Sequence, residues 1–381
     1  MRLTHLRPVF EADGPFATVY LRTNRATATA AHEIDVRLRH VSEQLAQAGA
    51  PAEAAEAISQ AVNESAQMTT QLNGSGPEER VLVWAGGALR FDAALPDTGA
   101  DEFACWEPVP RLMPYVRAYS MTVPHVVAVV NRAGGDLMAF DALGRICEVE
   151  SVDGSTFHLR KVKVGDWAHL RYLHHTEERW KANAKDVATA IDRLVEEVAA
   201  ERLVVAGDVR AREKLRDELS TRSASVMAEI DSGGRGGESA GIDEEAFDNA
   251  VNDEVTETAR HSLEERYAIY EQRLGKGGAA AEGLADVVAA AGQSQLDTLF
   301  IGEDFDADHP AWIGSDAIQV ALTRDELKRL GVDLALQVPV GSALLRAAVC
   351  TDAEAHFVPN ELPTATGEAG MRDNIGALLR Y

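Results

Sequence analysis

The sequence predicts an α/β protein made of three successive α/β domains. At 381 residues the chain is too long for one ordinary hydrophobic core, and two or three domains are expected. A hydrophobic fraction of 46% is that of a globular chain. Short apolar runs bounded by glycine alternate with stretches of helical period from end to end. The breaks fall near Tyr119 and at Gly275-Lys276-Gly277-Gly278, which gives domains 1–120, 121–276 and 277–381.

In the first domain, Phe16–Leu21 reads as a strand after the Asp13-Gly14-Pro15 turn. Ala28–Gln47 and Pro51–Met68 have helical spacing and are separated at Gly49-Ala50-Pro51. Val81–Ala85 and Ala88–Phe91 flank Gly86-Gly87 as a hairpin. The second domain opens on the strand Val126–Val130. Leu137–Asp141 and Ile146–Val152 follow across glycine turns. Thr156–Val164 alternates like an exposed strand. A long helix is expected from Thr176, which can act as N-cap, with Glu177 and Glu178 favourable in its first turn. Its Trp180, Ala184, Val187, Ile191, Leu194 and Val198 recur at steps of three and four, as one apolar stripe requires. Leu203–Gly207, Arg210–Leu219 and Val226–Ile230 read strand, helix, strand, which predicts a mixed or parallel sheet with helices on its faces. Asp231–Gly241 holds five glycines and reads as a loop. A second long helix, Asp243–Leu274, carries Phe247, Val251, Val255, Ala259, Leu263 and Tyr267 on one face. The third domain reads as a helix Ala280–Ala291, a strand Leu296–Gly302, helices Thr323–Leu330 and Val340–Ala347, and a closing strand Gly376–Tyr381.

The segment His158–Lys185 is a basic island in an acidic chain. It holds seven Lys/Arg (Arg160, Lys161, Lys163, Arg171, Arg179, Lys181, Lys185) against Asp166, Glu177 and Glu178, while the whole chain carries −24. Four of the eleven histidines, His158, His169, His174 and His175, are in it too. A cationic tip on an anionic body touches phosphate at one place and is repelled elsewhere, and such binding weakens with salt. The acidic balance argues against general coating of nucleic acid. The candidate RNA-binding residues are Arg160, Lys161, Lys163, Gly165, Asp166, Trp167, His169, Arg171, His174 and His175. Trp167 can stack on a base for roughly 1–3 kcal/mol while the cations hold neighbouring phosphates. The bland alternative packs Trp167 in the core at the start of the helix and leaves the charges as a solvated face.

Other constellations carry less. No apolar run approaches the roughly 20 residues that span a bilayer, and Met1–Pro8 has no signal-peptide stretch. Cys105, Cys147 and Cys350 are far apart and form no CxxC pair, so neither a disulfide framework nor a structural zinc site is suggested. A reduced, cytoplasmic protein without a membrane segment is expected. His174-His175 with Glu177 and Glu178 fits no usual metal spacing. Asp304, Asp306 and Asp308 imitate a calcium loop, but His309 and Ser315 stand where the glycine and the last acidic ligand belong. Gly233-Gly234-Arg235-Gly236-Gly237 lacks the Lys-Ser/Thr of a phosphate loop. No metal and no cofactor is expected.

Several segments resemble the archaeo-eukaryotic class-1 release factor and pelota superfamily. Gly292–Glu303, a helix end followed by Leu-Asp-Thr-Leu-Phe-Ile-Gly-Glu, resembles the opening of that superfamily's third domain, and Ile375-Gly376-Ala377-Leu378-Leu379-Arg380-Tyr381 resembles its closing strand. Phe16–Leu21 is similar to its first strand. The Gly14–Ala17 strand start, the glycine-rich loop before the long helix and the Gly-Ala-Leu-Leu-Arg-Tyr end resemble the bacterial branch, the Balon-type hibernation factors and their actinobacterial relatives. The resemblance implies a central ribonuclease-H-like domain and a C-terminal domain like kink-turn-binding ribosomal proteins.

The chain departs from that pattern at one decisive place. Release factors carry Gly-Gly-Gln between the exposed strand and the long helix, and here Val164-Gly165-Asp166-Trp167-Ala168-His169 stands instead. The stop-codon motif is not recognisable in Ala28–Gln47. The resemblance therefore implies a ribosome-binding hibernation factor that occupies the A site and blocks the peptidyl-transferase centre. Its partners would be ribosomal RNA, with elongation factor Tu and peptidyl-tRNA as further candidates. The competing reading is a peptidyl-tRNA hydrolase or ribosome-rescue factor, with Asp166 or His169 as general base.

Overall fold

The computed structural model describes residues 1–23, 30–71, 79–95, 102–131, 134–153, 180–231, 244–275, 277–363 and 370–381. These fall into two compact units, one made of Met1–Ser120 with Leu263–Tyr381 and the other of Met121–Ser262. Both are α/β, as expected.

In the N-terminal segment a short helix α1 (Arg7–Phe10) precedes β1 (Phe16–Arg22), α2 (Ala30–Gln47), α3 (Ala52–Gln71), β2 (Glu79–Ala85), β3 (Ala88–Leu95), β4 (Phe103–Glu107) and α4 (Met113–Ala118). The strands form an antiparallel sheet in the order β3-β2-β1-β4. Alternation along β1 decides its two faces. Ala17, Val19 and Leu21 join Ile34, Leu38, Val41 and Leu45 of α2 and Ala54, Ile58 and Val62 of α3 in one core. Tyr20, on the other face, donates to the Arg111 carbonyl at 2.9 Å and accepts from the Tyr115 amide at 3.2 Å. The glycine pair Gly86-Gly87, both at positive φ, closes the β2–β3 hairpin.

The central segment holds β5 (His125–Val130), β6 (Gly134–Phe140), β7 (Ile146–Asp153), α5 (Trp180–Glu197), β8 (Arg202–Gly207), α6 (Val209–Glu218), α7 (Thr221–Ser225), β9 (Met227–Glu229) and the long α8 (Glu244–Gly275). The sheet order is β7-β6-β5-β8-β9, antiparallel from β7 to β5 and parallel from β5 to β9. Numbered within the sheet this is 3-2-1-4-5, the mixed arrangement expected of a ribonuclease-H-like domain. The hydrophobic strands β5 and β8 are covered on both faces. Val126, Ala128, Val130, Leu203 and Val205 pack with Ala184, Val187, Ile191 and Leu194 of α5. Val127, Val129, Val204 and Ala206 pack with Phe247, Val251, Val255 and Ala259 of α8. The stripe read from the sequence of α8 is buried over its full length.

The remaining elements are β10 (Ala280–Glu282), α9 (Leu284–Gly292), β11 (Leu296–Gly302), β12 (Pro310–Ile313), β13 (Val320–Ala321), α10 (Arg324–Arg329), β14 (Leu336–Pro339), α11 (Val340–Cys350), β15 (Glu354–Val358) and β16 (Ile375–Leu379). They make one sheet in the order β10-β16-β11-β15 and a smaller one in the order β13-β12-β14. The single helix expected over Ala280–Ala291 is in fact a short strand followed by a helix. Ala280–Glu282 pair with the closing strand β16, and Gly283, at φ +84°, turns the chain into α9. Edge pairing overrides the helix propensity of the alanines. Thr323 caps α10 through a capping box with Glu326. Leu263, Tyr267 and Tyr270 of α8 pack on Phe300, Val358, Met371 and Leu378.

The two parts of the first unit are tied by polar contacts. Arg7 donates to the carbonyls of Val349 and Cys350, both at 3.3 Å, and pairs with Asp352 at 2.8 Å. His356 is buried beside the Met1 ammonium, 3.0 Å from Nε2, and Glu354, whose carboxylate also pairs with Arg266 at 2.8 Å and Arg2 at 3.5 Å. Burial, with the ammonium and Arg266 adding to it, pushes His356 down to about 4 from 6.5. The unfolded chain therefore takes up this proton at a higher pH than the folded one. Stability should be level above pH 6.5, fall as pH drops from 6.5 to about 4, and lose up to about 3 kcal/mol over that window. Chemical denaturation at a series of pH values checks this, and His356→Gln should flatten the step.

Candidate nucleic-acid interface

The structure fixes the scaffold on both sides of the basic island. β7 is the outer strand of the central sheet, and the described chain stops at Asp153 and resumes at Trp180, the first residue of α5. α5 is held on the sheet by its apolar stripe and by one arginine. Arg193 pairs with Glu148 at 3.4 Å, with Glu197 at 2.8 Å, and with Glu150, which is 4% exposed. The cluster binds the helix to the strand that leads towards the island.

A second arginine organises the far end of the same sheet. Asp208 caps α6 through the Ala211 amide at 3.0 Å. From that helix the buried Arg212 donates to the Ile230 carbonyl at 3.2 Å and pairs with Glu229 at 3.3 Å and Asp231 at 2.9 Å. It holds the exit from β9, where the glycine-rich stretch begins. That stretch, residues 232–243, lies outside the described residues, as do Thr156–Val164 and the Thr176 cap with Glu177 and Glu178.

All ten candidate RNA-binding residues, Arg160, Lys161, Lys163, Gly165, Asp166, Trp167, His169, Arg171, His174 and His175, also lie outside the described residues. In the sequence they fall between β7 and α5. The two central parallel strands, β5 and β8, carry no carboxylate, so the middle of this sheet offers no pair of acids for two-metal chemistry. Among the described residues there is no group of three or more His, Cys, Asp and Glu side chains that could hold a metal ion. Burial, assisted by Glu107, pushes the Cys105 thiol up to about 12, and burial also raises Cys147 and Cys350. No helix among the described residues is long and apolar enough to cross a membrane.

Residues 124–276, which run from the start of β5 through α8, match the model of bacterial archaeo-eukaryotic release factor family 2. Over that stretch the central segment is similar to the release-factor family. Over its full length the chain is 27% identical to the uncharacterized protein Rv2629 of Mycobacterium tuberculosis strain H37Rv, covering 97% of that protein. Among solved structures it is similar to Archaeoglobus fulgidus Pelota, at 19% identity and a TM-score of 0.35, covering 80% of this chain and 79% of that one. It is also similar to an archaeal Pelota described as ribosome-bound together with ABCE1, at 18% identity and a TM-score of 0.40, covering 79% and 78%. The matched stretch 124–276 includes the whole of the basic island, His158–Lys185.

Sequence reasoning missed a second concavity, in the other unit. Tyr20, Phe103, Arg111, Arg117, Phe305 and Ser342 are among the residues that line it. They come from widely separated stretches, and no motif joins them.

Proposed function

We propose that this protein is a ribosome-binding factor of the release-factor and pelota kind that protects idle ribosomes without turnover. Domain 121–276 would place the island at the peptidyl-transferase centre, with Arg160, Lys161, Lys163 and Arg171 on phosphates and Trp167 stacked on an RNA base. Domains 1–120 and 277–381 would contact the decoding region, the stalk base or elongation factor Tu. The observation that carries this reading is a conjunction. A segment that matches a release-factor family model contains a cationic stretch at the place where the resemblance puts Gly-Gly-Gln, and that triplet is absent from the whole sequence. Charge for RNA is retained while the residues that hydrolyse the ester are gone. Such action would take place in the cytoplasm.

Co-sedimentation with 70S ribosomes at low salt is expected, with no release of peptide from stalled complexes. Absence of binding at low salt contradicts the proposal. Peptide release that disappears with Asp166→Ala or His169→Ala replaces it by a hydrolase. Trp167→Ala should weaken ribosome affinity by about 1–3 kcal/mol, roughly 5- to 150-fold, with little change in salt dependence. A filter-binding titration measures both.

A further inference from the structure

The cleft in the first unit has the character of a small-molecule site. Its volume is about 690 Å³, inside the range of about 300–1,000 Å³ usual for such sites. β1, β4 and α4 line one side, and the loop after β11, the start of α11 and β15 line the other. Four aromatic rings line it. Tyr20 is stacked on Phe103 with centroids 4.8 Å apart, and Phe305 and Phe357 stand on the opposite side. The phenol of Tyr20 is already occupied by the Arg111 carbonyl and the Tyr115 amide, so this ring is fixed in place.

The polar groups at the cleft are unequally satisfied. Arg111 is neutralised by Asp308 at 2.8 Å and Glu107 at 3.2 Å. The Glu303 carboxylate accepts from the Asn360 amide at 3.3 Å. Arg117 has no carboxylate partner among the described residues. Its guanidinium lies 5.6 Å from the centre of the Phe357 ring and donates to the Glu303 carbonyl at 3.0 Å, which leaves further N–H groups free. Ser342, in the first turn of α11, is 3% exposed and lines the cleft. The amides before it, Val340 and Gly341, are spent on the carbonyls of His309 and Ala307. The cleft therefore offers rings, one guanidinium without a carboxylate partner among the described residues, a serine hydroxyl and the positive end of an eleven-residue helix.

We propose that this cleft binds a small anion carrying a flat apolar ring, of the nucleoside monophosphate class. The ring would lie among Phe103, Phe305 and Phe357. The anionic group would take the free donors of Arg117 and the Ser342 hydroxyl. Such a site is independent of ribosome binding and is tested on the free, full-length protein. Calorimetric titration with the four common nucleoside 5′-monophosphates is run beside the nucleosides and inorganic phosphate. At least one monophosphate is expected to bind saturably, with its nucleoside and phosphate each about tenfold weaker or more. Arg117→Gln should lower the affinity at least about tenfold. Phe305→Leu keeps apolar volume while removing a ring, and should also weaken binding. Circular dichroism verifies that both variants are folded. The proposal is overturned if no monophosphate saturates in the millimolar range, if phosphate alone binds as tightly, or if both variants bind like the parent chain.

Discussion

A triple variant, Arg160→Ala with Lys161→Ala and Lys163→Ala, is expected to bind ribosomes about a hundredfold more weakly at low salt. Each lost phosphate contact at an exposed site is worth about 1 kcal/mol, and three make about 3 kcal/mol. The more telling change is in the salt dependence. Each phosphate neutralised contributes about 0.7–0.9 to the slope of log affinity against log salt, so the variant's slope should be shallower by about 2–3. Because the chain as a whole carries −24, its other surfaces do not substitute for the missing cations. Titration at four salt concentrations separates this outcome from unfolding, which would abolish binding without a graded slope. A variant with the parent slope would remove the island from the interface.

Gly207→Ala is expected to cost about 3–5 kcal/mol and to lower the melting temperature by roughly 10 °C. Gly207 ends β8 at φ +112°, opposite Val130 at the end of β5. A methyl group there would lie 1.9 Å from the Val130 carbonyl oxygen. That oxygen also accepts from the Asp208 amide at 3.0 Å, so strand end and helix cap are built on the same approach. The alanine variant must separate the two central parallel strands or rotate the peptide, and either disturbs the sheet that supports α5. Gly49→Ala is the comparison: it has a similar positive φ of +84° with nothing within 4 Å, and should cost only about 1 kcal/mol. Thermal melts of the two variants measure the difference.

The elements that could be read from the sequence were those whose burial pattern is local. The stripe on α8 repeats with helical period, and every residue named from it is buried. β5 and β8 are short β-branched runs because both of their faces are covered. Elements defined by distant partners were not visible. β4 pairs with β1, and β12 and β14 pair with each other, across stretches that carry no local sign of it. The strand β10 was hidden inside an alanine-rich stretch whose propensity points to helix. The basic island stands out in the sequence as a charge anomaly, and its candidate residues lie outside the described ones. The aromatic cleft was not, because Tyr20, Arg117, Phe305 and Ser342 meet only after the N-terminal and C-terminal parts of the first unit have packed together.

The central claim is that Trp167 and its neighbouring cations meet ribosomal RNA at the peptidyl-transferase centre. The most direct measurement places a photo-crosslinking amino acid at position 167 and maps its adducts on 70S ribosomes. Crosslinks confined to the nucleotides of the peptidyl-transferase centre, lost in the Arg160, Lys161, Lys163 triple variant, are the predicted result. Crosslinks to residues of the protein's own core, or none to RNA under conditions where the protein co-sediments, would contradict it.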